Sequence, residues 1–153
     1  MRDVEKALKV GLKHRNNLRS GACGDTMIVN KVGNIGNRIW RPVMYSNEEI
    51  MQFVNLVAEV VDPDRIILFG SYAYGNPNEM SDIDLLVIKN GKDFTIDDET
   101  VYAVAIHRAR RRQSIKPRYD VFFGTESQVA EIASRGGSYR DALQKGKIIY
   151  ERV

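Results

Sequence analysis

Cysteine is all but missing from this chain. Cys23 is the only one in 153 residues, so no disulfide can close within the chain and no thiolate zinc cluster can form. Histidine is nearly as scarce, and His14 and His107 read as surface residues rather than ligands. Long apolar runs are lacking too: none approaches the roughly 18 residues that a membrane-spanning helix requires. The N-terminus, Met1-Arg2-Asp3-Val4-Glu5-Lys6, carries charge where a secretory signal has its apolar core. These absences exclude a disulfide scaffold and a helical membrane protein, and they leave the cytosol as the expected compartment.

What is present is the composition of a globular protein. Hydrophobic residues make up 43% and charged residues 28%, which separates the chain from disordered and fibrous classes. Its length suits one domain with a real core rather than two. The net charge of +3 is unevenly placed. Residues 1–45 hold nine Lys/Arg against three Asp/Glu, a net of +6, whereas residues 46–153 hold fourteen against seventeen, a net of −3. The expected division is therefore a basic, partly disordered extension over 1–45 and a folded domain over 46–153. Within the extension, Val4, Ala7, Leu8 and Leu12 mark a short amphipathic helix. Glycines and asparagines mark loops, and Trp40-Arg41-Pro42 marks an anchor on the core. A basic arm suits nucleic acid or an acidic partner, and equally a solvated tail.

From Ser46 the pattern becomes regular. Ser46-Asn47-Glu48-Glu49 is a capping box, followed by Ile50, Phe53, Val54, Val57 and Val61 on one helical face. Asp62-Pro63 ends that helix. Strands are expected at about 65–69 and 82–88, a helix at about 97–113 and a strand at about 118–123. Thr125-Glu126-Ser127-Gln128 opens a helix that Gly136-Gly137 closes. A short helix over about 138–145, stopped by Gly146, leads to a last strand from Lys147 to Tyr150. Strands and helices mix without strict alternation, so the fold class is a small α/β (α+β) protein with helices packed on a mixed sheet.

The chemistry concentrates between the first two strands. Ile66-Ile67-Leu68-Phe69 runs into Gly70-Ser71, a polar loop follows, and Asp82-Ile83-Asp84 opens the next apolar run. Side chains alternate across a strand, so Asp82 and Asp84 share a face. Two adjacent carboxylates repel, and one takes up a proton unless a cation sits between them. Mg²⁺ fits, because it prefers carboxylate oxygens together with substrate phosphates. Gly70 lets the backbone approach a phosphate. Ser71 adds a hydroxyl donor and stands to cap a following helix. A third acid, Asp120, lies inside the apolar run Tyr119–Phe123, where an unpaired buried carboxylate is costly unless it has a partner such as Arg118 or a task. On a strand neighbouring the first pair, roughly 4.8 Å away, it would complete a three-carboxylate cluster.

This constellation resembles the minimal nucleotidyltransferase family, within the superfamily of DNA polymerase β-like nucleotidyltransferases. The resemblance covers Ser46 to the end, including the tail Tyr139-Arg140-Asp141-Ala142-Leu143-Gln144-Lys145-Gly146-Lys147-Ile148-Ile149-Tyr150-Glu151. It implies the polymerase β-like fold. It further implies nucleotide binding by Gly70 and Ser71, and catalytic and metal-binding roles for Asp82, Asp84 and Asp120. The implied reaction moves a nucleoside monophosphate, AMP from ATP by preference, onto a hydroxyl with loss of pyrophosphate. A pair of Mg²⁺ ions about 3.5–4 Å apart would assist, and Asp120 would hold a metal or accept the acceptor's proton. Small stand-alone members often act as antitoxins beside a HEPN-domain ribonuclease toxin, so the resemblance also implies a protein acceptor of that kind. One departure stands out: where many relatives place arginine in the loop, this chain has Ala73 and Tyr74. Arg108, Arg110, Arg111 and Arg112 are candidates for the missing charge, with 108, 111 and 112 on one helical face. The competing readings are a catalytically silent module of the same fold that neutralises a partner by contact, and a nucleic-acid binder acting through the basic arm. Neither reading needs the costly acids.

Overall fold

The computed structural model describes residues 44–152. The expected amphipathic helix, the glycine-rich loops and the Trp40-Arg41-Pro42 anchor lie outside the described residues. The order is α1 (Asn47–Val61), β1 (Arg65–Phe69), α2 (Gly70–Tyr74), β2 (Ile83–Ile88), α3 (Ile96–Arg112), β3 (Tyr119–Gly124), α4 (Glu126–Ser134), α5 (Ser138–Lys145) and β4 (Lys147–Glu151).

Helix α1 begins where the sequence places it. The Ser46 side chain accepts from the Glu49 N–H, and Glu49 Oε2 accepts from the Ser46 N–H at 2.9 Å. Such a cap contributes about 1 kcal/mol. The face behind it contributes more, since Phe53, Val54 and Val57 are fully buried at about 2 kcal/mol per side chain. Asp62 turns into the left-handed region at φ 53° and Pro63 follows, which stops the helix. Helix α3 has a capping box as well, Thr95 with Asp98. Its shorter acid at the third position hid it in the sequence.

The four strands form one mixed sheet in the order β3-β2-β1-β4. Strand β1 runs antiparallel to β2 and β4, and β2 runs parallel to β3. Ile66, Leu68, Ile83, Leu85 and Val87 point to one face, where α1 and α3 cover them. Ile67, Phe69, Leu86 and Ile88 point to the other face, beneath Val129 of α4 and Ala142 of α5. Burial on both faces explains why β1 and β2 read as continuous apolar runs. Gly146 allows α5 to pass straight into β4, since a Cβ there would lie 2.3 Å from the Ala142 carbonyl oxygen and 2.4 Å from Ile67 Cγ2. Gly146→Ala is expected to lower stability by about 1–3 kcal/mol, readable as a shifted urea midpoint with an unchanged slope.

Candidate active site

Strand β1 ends at Phe69, directly opposite Asp84 in the antiparallel register. Gly70 then turns the chain with φ 69°, a conformation that side-chain-bearing residues adopt at a cost. A Cβ on Gly70 would sit 2.0 Å from Asp84 Oδ2 and 2.9 Å from its Cγ, so the Asp84 carboxylate occupies the space that glycine leaves open. Gly70 is the first residue of α2, Phe69 is its N-cap, and no side chain caps it. The expectation that Ser71 caps this helix is therefore corrected: Ser71 lies inside the first turn, and its carbonyl accepts from the Gly75 and Asn76 N–H groups.

Across the parallel pairing, Asp84 stands level with Asp120. Both lie on the α4–α5 face of the sheet, because Ile83 and Leu85 belong to the core on the opposite face. Asp82 precedes β2 on the same side. The register thus brings the three acids to one end of two adjacent strands, β2 and β3. They are not drawn together tightly: among the described residues no group of three His, Cys, Asp or Glu is gathered closely enough to surround a cation.

The electrostatics single out Asp84. Partial burial first, then the negative charges of Asp120 and Asp82, push its carboxyl up from 3.8 to about 6. Asp120 is exposed, so the expectation that it is a costly buried charge is corrected. Asp84, held between Phe69, Gly70 and β3, is the acid that loses solvent. Arg118, the alternative partner for Asp120, turns to Asp82 instead. Arg118 Nε lies 2.9 Å from Asp82 Oδ1, and its guanidinium donates to the Met80 carbonyl.

The arginines of α3 are elsewhere. Helix α3 packs on the opposite face through Tyr102, Ala105, Ile106 and Ala109. Arg108, Arg111 and Arg112 are exposed on that helix, while Arg110 lies over the Tyr119 ring and donates to the Lys116 carbonyl. They do not replace the missing loop charge. Among the described residues, a cation that reaches the loop is Lys145 of α5, a residue that sequence reasoning missed. Its Nζ sits 5.9 Å from the centroid of Tyr74, the residue in the arginine position, and 3.0 Å from Asp141 Oδ1. No periodic signal links positions 74 and 145; only the packing of α5 on α2 does. His107 lies on the surface, as the sequence suggests, and Tyr139 packs edge-on against Phe122 while donating to the Phe123 carbonyl.

A family model described as nucleotidyltransferase domain matches residues 50–148, which span every element from α1 to the start of β4. The chain belongs to the nucleotidyltransferase domain family. That match supports nucleotidyl transfer as the general activity, and the five helices on a four-stranded mixed sheet agree with the fold expected of the family. No curated protein matches the chain at a significant level. No helix among the described residues is long and apolar enough to cross a membrane.

The site residues suit a hard divalent cation on three grounds. Asp84 resists ionising without a counter-charge. Asp82 Oδ1 is shielded from solvent and receives no well-directed hydrogen bond. All three candidate ligands are carboxylates, the donors that Mg²⁺ prefers.

Proposed function

We propose that this nucleotidyltransferase transfers AMP from ATP to a hydroxyl acceptor on a protein, in the manner of an antitoxin acting on a HEPN-type partner, and releases pyrophosphate. The observation that carries the reading is Asp84, wedged against Gly70 and level with Asp120, with its carboxyl pushed up to about 6. Perturbed acids at the end of a strand, beside a turn open to phosphate, mark reaction sites more often than structural ones.

Gly70 makes room for the Asp84 carboxylate beside the turn, and Ser71 offers a hydroxyl donor to phosphate oxygens there. Mg²⁺ held by Asp82, Asp84 and Asp120 would neutralise charge on the triphosphate and on the attacking oxygen. Asp120, the exposed member of the set, accepts the proton of the acceptor hydroxyl. The acceptor oxygen forms its bond to the α-phosphorus as the bond from that phosphorus to the β-phosphate bridging oxygen breaks, and pyrophosphate departs. The Lys145 ammonium beside Tyr74 supplies positive charge near the loop that Ala73 and Tyr74 do not.

The acceptor is tested by incubating the full chain with ATP and a lysate of the source cells, then mapping adenylylated peptides by mass spectrometry. The expected product is AMP on a hydroxyl side chain of a partner protein, with ATP preferred over the other triphosphates. Transfer confined to RNA ends or small metabolites would overturn the protein acceptor.

A further inference from the structure

Asp82 has a cationic neighbour that the proposed reaction does not use. Arg118, at the leading end of β3, places Nε 2.9 Å from Asp82 Oδ1 while its terminal nitrogen donates to the Met80 carbonyl. The pair is close but poorly aligned. Asp82 Oδ1 is shielded from solvent, yet no N–H points at it with hydrogen-bond geometry. The contact is thus a charge contact with an unspent acceptor.

Arg118 is held in place from behind. Its N–H donates to Tyr45 Oη at 3.0 Å, and the Tyr45 N–H donates to Tyr72 Oη at 3.0 Å. The Tyr45 and Tyr72 rings stack 5.9 Å apart. The Arg118 carbonyl accepts from the Ile83 N–H at 2.9 Å, which fastens it beside the Asp82–Asp84 strand. Tyr72 belongs to α2, one residue after Ser71, so this chain of contacts ties the turn at Gly70-Ser71 to the base of Asp82.

We propose that Arg118 is a positioning residue that stands in for a divalent cation at Asp82. Its guanidinium holds the Asp82 carboxylate in place beside Asp84, and a metal entering the site displaces it from Oδ1. The proposal rests on the reading of these acids as metal ligands. Both side chains are partly exposed, 38% and 40%, so the pair is worth little in isolation. A weak, misaligned pair is one that a cation can displace. A guanidinium that served only to staple the loop would be expected to use aligned, bidentate contacts.

The test measures Mn²⁺ binding to the nucleotide-free full chain by electron paramagnetic resonance. Wild type is compared with Arg118→Ala, Asp82→Asn and the double variant, with circular dichroism confirming the fold. Arg118→Gln, of similar length, replaces the alanine variant if that one does not fold. Removing the competing charge is expected to tighten Mn²⁺ by about 3-fold or more, and the gain should vanish in the Asp82→Asn background. Unchanged or weaker Mn²⁺ binding in a folded Arg118 variant, with wild type still transferring nucleotide, would overturn the stand-in role and leave the function intact. A wild type that neither binds Mn²⁺ nor transfers nucleotide would overturn both.

Discussion

Asp84→Asn is expected to abolish nucleotidyl transfer and to make the metal-free protein more stable than wild type at pH 8. The first effect follows from removing the charge at the centre of the site, a loss on the order of 10³-fold. The second follows from linkage. The Asp84 carboxyl is pushed up from 3.8 to about 6 by burial and by Asp120 and Asp82, so between about pH 4 and 6 the folded chain holds a proton that the unfolded chain has lost. Stability therefore falls as pH rises through that window, and the deficit is complete above it. Asparagine has no charge to strand there. Thermal unfolding at pH 8 should show the variant higher by roughly 2–5 °C, a gap that narrows at pH 4. Mg²⁺ should raise the wild-type midpoint and leave the variant's nearly unmoved. A variant less stable than wild type at both pH values would contradict the account of Asp84.

Gly70→Ala carries the second large effect, and Gly75→Ala is its control. Both glycines have positive φ, at 69° and 85°, and alanine in such a conformation costs roughly 1–2 kcal/mol. Their surroundings differ. A Cβ at position 75 meets nothing within 4 Å, whereas one at position 70 meets the Asp84 carboxylate at 2.0 Å. Gly75→Ala should lose stability and keep transfer activity. Gly70→Ala should lose both, with activity down by about 10² or more, because Asp84 must swing out of place. Urea midpoints and kcat/KM for the two variants separate strain from site damage. Equal activities in the two variants would show that the Gly70–Asp84 contact is not needed.

Much of this was legible beforehand because strong local signals carry it. The capping boxes at Ser46 and Thr125, the stops at Asp62-Pro63 and Gly146, and the apolar runs each fix an element without outside help. The family, too, was readable from Gly70-Ser71 and Asp82-Ile83-Asp84. What was not legible depends on pairings between distant segments. Asp120 read as buried because its neighbours are apolar, but the start of β3 is open to solvent and Asp84 carries the desolvation instead. Arg118 is only one alternative partner for Asp120 in the sequence, and its guanidinium reaches across to Asp82 on the β2 side. The arginines of α3 were plausible phosphate ligands until the packing of Ile106 and Ala109 put that helix behind the sheet. Lys145 carries no local signal, and only the packing of α5 on α2 brings it to Tyr74.

The most direct measurement is the fate of each phosphate of ATP. The full chain would be incubated with Mg²⁺ and a source-cell lysate, using ATP labelled at the α or the γ position, with Asp82→Asn alongside. The account predicts label on an acceptor from the α position only, absent in the variant. Label from the γ position, or no transfer by a folded wild type, would contradict it.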